Sequence, residues 1–250
     1  MVSVRRPAVA GTFYPADSNE LRSTISRLLG SAPPRKPAKA IVAPHAGYAY
    51  SGPIAASAFR CLSSSVRRVV LLGPSHFVLL RGVAAPRAAE FETPLGRVAL
   101  EVPDELPRND APHAREHSLE VEVPFLQVAL GGFTLLPLVV GEAEPARVAE
   151  ALAALWDGPE TAIVVSSDLS HYLPYDEACR MDGETARRIE QLVPVPPGAA
   201  CGAAPLNGLL FEANRRGMTC ERLDLRNSGD TAGDRSRVVG YGAFALREAE

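Results

Sequence analysis

AKAIVAPHAG, residues 38 to 47, is the stretch on which the reading of the fold turns. Residues 38 to 43 form a short run, apolar but for Lys39, that ends in Pro44, His45, Ala46 and Gly47. Such a run reads as a buried strand breaking into a loop. The pattern returns at residues 66 to 72, a run that ends in Gly73, Pro74, Ser75 and His76. Two more continuous runs of strand length follow, residues 135 to 140 before Gly141 and 162 to 165 before Ser166, Ser167 and Asp168. Continuous apolar runs, in place of an alternation, suit strands covered on both faces.

Working outward, helix-like stretches separate these runs: 17–29, 52–61, 118–130, 145–155, 175–192 and 206–216. Strands alternating with helices predict an α/β fold, a central mostly parallel or mixed sheet flanked by helices on both faces. VVGYGAFAL at 238 to 246 is expected to be a closing strand, and EFETPLGRVALE at 90 to 101 a small hairpin turning near Pro94, Leu95 and Gly96, at the rim of the sheet. The only linker-like stretch, residues 31 to 37, lies too early to divide two domains, so residues 1 to 250 are expected to form one.

Composition excludes several classes. A hydrophobic share of 46% with 22% charged residues is ordinary for a globular chain, and a net charge of −3 argues against a nucleic-acid surface. No stretch reaches membrane-spanning length without charge or proline, and the amino terminus lacks the apolar run of a signal peptide, so a cytoplasmic location away from membranes is expected. Four cysteines, Cys61, Cys179, Cys201 and Cys220, are widely spaced without a CxxC pair, which predicts reduced, buried residues.

Histidine is scarce, so the places of His45, His76, His113, His117 and His171 are informative. In open α/β sheets the ligand crevice lies outside the carboxyl ends of the strands, where His45, His76 and the Asp168/His171 pair converge on this reading. Imidazole and carboxylate together suit a metal or acid–base site. Any one of these histidines alone reads more readily as a surface or hydrogen-bonding loop residue than as a ligand; the joint pattern is the stronger signal.

In REHSLE at 115 to 120, Ser118 is expected to cap a helix. Glu116 and His117 precede it as substrate-orienting or proton-transfer groups, with Arg115 beside them. GYAYSG at 47 to 52 sets Tyr48 and Tyr50 next to His45, either closing over a ligand or forming a tight turn. NSGDTAGD at 227 to 234 reads as a turn whose Asp230 offers a carboxylate. Cys201, just before a helix, is expected to have a lowered pKa from the helix start, although a structural role is the plainer reading.

PAVAGTFYP at 7 to 15, APHAGYAYSGPIAA at 43 to 56, LLGPSHF at 71 to 77, TPLG at 93 to 96, EHSLEVEVPFLQ at 116 to 127 and SSDLSHY at 166 to 172, with NSGDTAGD and VVGYGAFAL, make the chain resemble the Memo family from end to end. The resemblance implies a fold like that of class III extradiol dioxygenases, which are non-haem iron enzymes. It also implies that His45 and His76 are metal ligands and that Asp168, His171 and His117 are pocket or catalytic residues; Ser75, Tyr48, Tyr50, Arg115, Glu116, Cys201 and Thr231 are expected to line a substrate pocket around them. Eukaryotic members use a cysteine near the carboxyl end as a further ligand; aligned here it falls at or beside Thr231, so Asp230 is expected to replace it.

A divalent metal is therefore expected, Fe(II) first, with Cu, Zn or Mn as alternatives. The function expected is a metal-dependent oxidoreductase of dioxygenase type acting on an unnamed substrate, with Asp168 or Asp230 completing the ligand set of His45 and His76 and His171 or His117 transferring protons. The alternatives are a module that binds a small-molecule or peptide ligand without turning it over, and an accessory protein working beside radical-SAM and AMMECR-type partners.

Overall fold

The structure is a computed structural model that describes residues 3 to 248. The chain opens with β1 (Val4–Arg5) and α1 (Ser18–Ser31), then β2 (Ala40–Ala43), α2 (Tyr48–Phe59) and β3 (Arg68–Pro74). Three short strands follow, β4 (Val83–Ala84), β5 (Glu90–Thr93) and β6 (Gly96–Ala99), then α3 (Ala111–Ala114), α4 (Glu122–Leu130), β7 (Thr134–Val140) and α5 (Pro145–Leu155). The remainder is β8 (Thr161–Ser166), β9 (His171–Leu173), α6 (Tyr175–Glu190), α7 (Ala203–Arg215), β10 (Thr219–Asn227), α8 (Ser228–Thr231) and β11 (Val238–Arg247).

One mixed sheet organises the molecule, in the order β10-β11-β2-β8-β3-β7-β4 with β9 paired to β11. Strands β2, β8, β3 and β7 run parallel, while β11 lies antiparallel to β2, β9 and β10, and β4 antiparallel to β7. Successive side chains of a strand point to opposite faces. Ile41, Leu71 and Val164 accordingly enter a core built with α1, α2 and α4, whereas Val42, Leu72 and Val165 enter a second core built with α5, α6 and α7. Both faces are covered, which is why these strands read as continuous apolar runs. The fold is α/β, a mixed sheet flanked by helices on both faces.

Several expectations need correction. Helix α2 starts at Tyr48, a turn before Pro53, because Tyr48 is buried and its hydroxyl donates to the Val121 carbonyl at 2.7 Å. GYAYSG is thus the first turn of a helix. Helix α4 starts at Glu122, and the Ser118 hydroxyl caps nothing: it donates to Pro74 O at 2.9 Å, tying this segment to the end of β3. NSGDTAGD holds α8, which Asn227 and Asp230 close as a reciprocal capping box. Strand β10 has too polar a sequence to announce itself; it is an edge strand whose pairing with β11 supplies what its composition does not. The expected hairpin is β5–β6, and it joins β1 in a separate sheet. The cysteines are free, yet only Cys61 is buried and Cys179 is exposed.

Candidate metal centre

Strands β2, β8 and β3 are adjacent and parallel, so the loops at their carboxyl ends are adjacent too. His45 follows β2, Asp168 and His171 follow β8, and His76 follows β3. His117 comes in from the segment before α4. The three rings of His45, His76 and His117 meet, with centroids 5.3 Å apart for His45–His76, 5.4 Å for His45–His117 and 4.6 Å for His76–His117. Phe13, from the amino-terminal arm, lies 4.8 Å from the His117 ring.

Cys201 completes the cluster. Its amide donates to Asp168 O, and the Gly202 amide to Ser167 Oγ at 3.0 Å, which press the turn before α7 against the end of β8. A Cβ at Gly202 would stand 2.7 Å from Ser167 Cβ, so only glycine permits this approach. Cys201 Sγ comes to 3.3 Å from His45 Nε2. One donor atom each from His45, His76 and Cys201 lie within 4.8 Å of one another. Imidazole and thiolate bonds of about 2.0 and 2.3 Å meeting at a tetrahedral angle put the two donors about 3.5 Å apart, close to the His45–Cys201 separation.

The ring nitrogens are sorted by their partners. His76 Nδ1 donates to Glu116 Oε1 at 2.8 Å, leaving Nε2 free; this carboxylate behind an imidazole is the usual support of a metal-ligating histidine. Burial pushes the Glu116 carboxyl up, but the hydrogen bonds from the His76 ring and backbone and from the Ser118 amide outweigh it and bring it down to about 2. Glu116 also stands 3.4 Å from His117 Nδ1, so one carboxylate serves two rings. Burial, with His76 beside it, lowers His117 to about 4, and burial likewise holds the fully buried His45 well below its ordinary value. Both are neutral at pH 7, the form that binds metals.

The remaining candidate residues are placed as follows. Asp168 turns its carboxylate to the loop, accepting the His45 amide at 2.9 Å and that of Ala46; burial raises it to about 7. His171 Nδ1 donates to Leu169 O at 2.8 Å, which leaves Nε2 as the acceptor. The carboxylate of Asp230 is taken by Tyr175 OH at 2.7 Å and the Asn227 amide at 3.0 Å, and among the described residues it belongs to no group of converging metal donors. Thr231 sits with it in α8, its hydroxyl bonded to Ser228 O. Tyr48 is in the core, Tyr50 is half-exposed, Ser75 bonds Val78 O at 2.6 Å, and Arg115 stacks on Phe77 at 5.2 Å. The thiol beside the histidines is therefore Cys201, and neither Thr231 nor Asp230 takes its place. Its pKa is not lowered by a helix start: burial, reinforced by Asp168, pushes it up to about 12. Sequence reasoning passed over Ser166 and Glu122, which lie behind His45, and had no signal for either beyond ordinary core composition.

The family described as Memo-like protein matches residues 5–245. The chain belongs to the Memo family. Over 95% of its length it is 37% identical to MEMO1 family proteins of Sulfolobus acidocaldarius and Aquifex aeolicus, covering 97% of each. A MEMO1 family protein of Methanopyrus kandleri is 34% identical over 97% of the chain and 99% of its own length. Among solved structures, an uncharacterised protein of Escherichia coli K12 aligns over 80% of the chain and 98% of its own at 12% identity and a TM-score of 0.46. No helix of the described residues of this Memo-family chain is long and apolar enough to cross a membrane.

Proposed function

We propose that this chain is a metal-dependent oxidoreductase whose ion is held by His45, His76 and Cys201. The observation that carries the reading is the convergence of two imidazoles and one thiol, one donor from each within 4.8 Å, with Glu116 and Ser166 on the far nitrogens of the two rings. The donor set fits a thiolate-tolerant redox ion, Fe(II) first and copper second, better than the all-imidazole-and-carboxylate set expected from Asp230. Such an ion supplies Lewis acidity and one-electron chemistry when bound.

The chain's own residues do the rest. His117, neutral and oriented by Glu116, can take a proton from a substrate hydroxyl, and the unprotonated Nε2 of His171 is a second acceptor. Phe13 and Phe77 flank the His117 ring at 4.8 and 5.9 Å. The substrate this arrangement favours is a small hydroxylated molecule with a flat apolar body.

The deciding experiment is elemental analysis of protein purified without oxygen or chelator, beside His45→Ala/His76→Ala and Cys201→Ser. Near-stoichiometric iron or copper in the wild type, lost in both variants, supports the reading and justifies oxygen-uptake assays with catechol-like compounds. A wild type that binds neither metal overturns it. A second reading, a module that binds a peptide without turning it over, is favoured by the exposed Phe77, Leu79 and Tyr172 next to the histidines; peptide binding that survives the double alanine substitution would select it.

A further inference from the structure

We infer that Glu122 is an un-ionised carboxylic acid that donates a hydrogen bond to Ser166 and, through Ser166, holds His45 in the tautomer with its proton on Nδ1. Glu122 is a positioning residue on this view, acting on the cluster without touching what binds there. The inference deepens the metal reading, since it explains how one ligand is set in its binding form before any ion arrives.

The argument is a donor count. Ser166 Oγ has three close neighbours: His45 Nδ1 at 2.6 Å, Ser118 O at 2.6 Å and Glu122 Oε1 at 3.0 Å. A hydroxyl has one proton to give and two lone pairs. A backbone carbonyl can only accept, and two oxygens at hydrogen-bond distance with no proton between them repel, so the Ser166 proton lies toward Ser118 O. Both remaining neighbours must then donate. For His45 this places the proton on Nδ1 and leaves the Nε2 lone pair toward Cys201. For Glu122 only the protonated carboxyl qualifies.

Burial agrees. Glu122 is fully buried at the start of α4, beside the buried Val123, Phe125 and Leu126, and its second oxygen, Oε2, has no hydrogen-bond partner. For an ionised side chain this would be an unpaired charge in an apolar core; for a neutral acid it is one unmet carbonyl oxygen, a far smaller cost. Burial, reinforced by Asp168 and opposed only by the Ser166 hydrogen bond, drives this carboxyl well above its ordinary range. The two histidines are therefore backed differently, His76 by an ionised carboxylate and His45 by a neutral hydroxyl–acid pair.

The test uses metal-free wild-type protein at neutral pH. The infrared difference between wild type and Glu122→Gln is expected to contain the carbonyl stretch of an un-ionised acid, and nitrogen-15 NMR is expected to show the His45 proton on Nδ1. Glu122→Gln, whose amide can still donate, keeps that tautomer. Glu122→Leu removes the donor; its His45 signals are expected to shift toward a tautomer mixture, and metal affinity to fall about 10- to 100-fold, the usual effect of losing an outer partner of a ligand. A carboxylate band in place of the acid band, or a wild-type His45 protonated on Nε2, overturns the inference whether or not the leucine variant folds. Both spectra are read without metal, so a chain that binds no ion would remove the metal reading while the acid band and the Nδ1 proton still uphold this one.

Discussion

Replacing Arg5 by leucine should cost this protein about 3 to 5 kcal/mol, because it strips one partner from a buried ion pair. The Arg5 guanidinium pairs with Glu120, their side chains 7% and 1% exposed. Arg5 also donates to His113 O at 3.1 Å and Glu116 O at 2.6 Å, while Glu120 accepts the Ala8 and Val9 amides at 2.8 and 3.0 Å and the Tyr14 hydroxyl at 2.5 Å. This pair pins the amino-terminal arm to the segment that carries Glu116 and His117, and it is what brings Phe13 to the His117 ring. Without Arg5 a carboxylate is left buried with only neutral donors. Against a total of about 5 to 15 kcal/mol for a typical chain, the expected loss is large.

Urea unfolding of Arg5→Leu measures the loss, and Arg187→Ala is the control. Its partner Glu184 sits in a surface pair, 62% and 61% exposed, where about 1 kcal/mol or less is at stake. Adding Glu120→Gln to Arg5→Leu should cost much less than the sum of the two single changes, since the neutral amide no longer needs a counter-charge. If Arg5→Leu costs no more than the surface control, the buried pair does not hold the arm and the reasoning fails.

Three further predictions follow from the structure. His113 is buried, with Nε2 donating to Ala84 O, and burial lowers it to about 4; its stability contribution is full above the unfolded value of about 6.5 and is lost as pH falls toward 4, so wild type should lose about 2 kcal/mol relative to His113→Gln between pH 7 and 5, and equal slopes in pH-dependent unfolding would refute this. Gly240→Ala would put a Cβ 2.0 Å from Asp182 Oδ2, the carboxylate that accepts the Ser170 amide and hydroxyl; a loss of about 1 to 3 kcal/mol and a shifted His171 NMR resonance are expected, whereas Gly183→Ala, with open space around it, should leave both near wild type. If an ion binds at His45, His76 and Cys201, saturation at a hundred times its Kd should stabilise the protein by about 2.7 kcal/mol in thermal melts, and Cys201→Ser should abolish most of that gain.

The α/β architecture was legible because its signal is local. Parallel strands covered on both faces must be apolar throughout, and the runs at 40–43, 68–74, 134–140 and 161–166 are nearly so. The helix starts at Tyr48 and Glu122 were not legible, since each depends on a tertiary partner, Val121 O for the tyrosine and Pro74 O for the serine displaced from its capping role. Strand β10 escaped for a related reason: an edge strand with charged side chains owes its form to its neighbour.

For the site, the sequence alone determined that His45 and His76 stand at the ends of two buried strands, because an apolar run that ends at Pro44 or Pro74 puts the residues just after it in the loops at the carboxyl edge of the sheet. It could not determine which carboxyl-terminal residue joins them. Asp230 and Thr231 were the candidates nearest the end of the chain, yet Asp230 spends its oxygens on Asn227 and Tyr175. Cys201 reaches His45 because Gly202 lets the turn before α7 lie against the end of β8. Nor does any pattern in the chain distinguish an ordinary core glutamate from Glu122; only the tertiary fold sets Glu122 against Ser166 and Ser166 against His45. Chain order carries the periodicity that makes strands and helices, whereas contacts between residues tens of positions apart depend on close packing that no local pattern encodes.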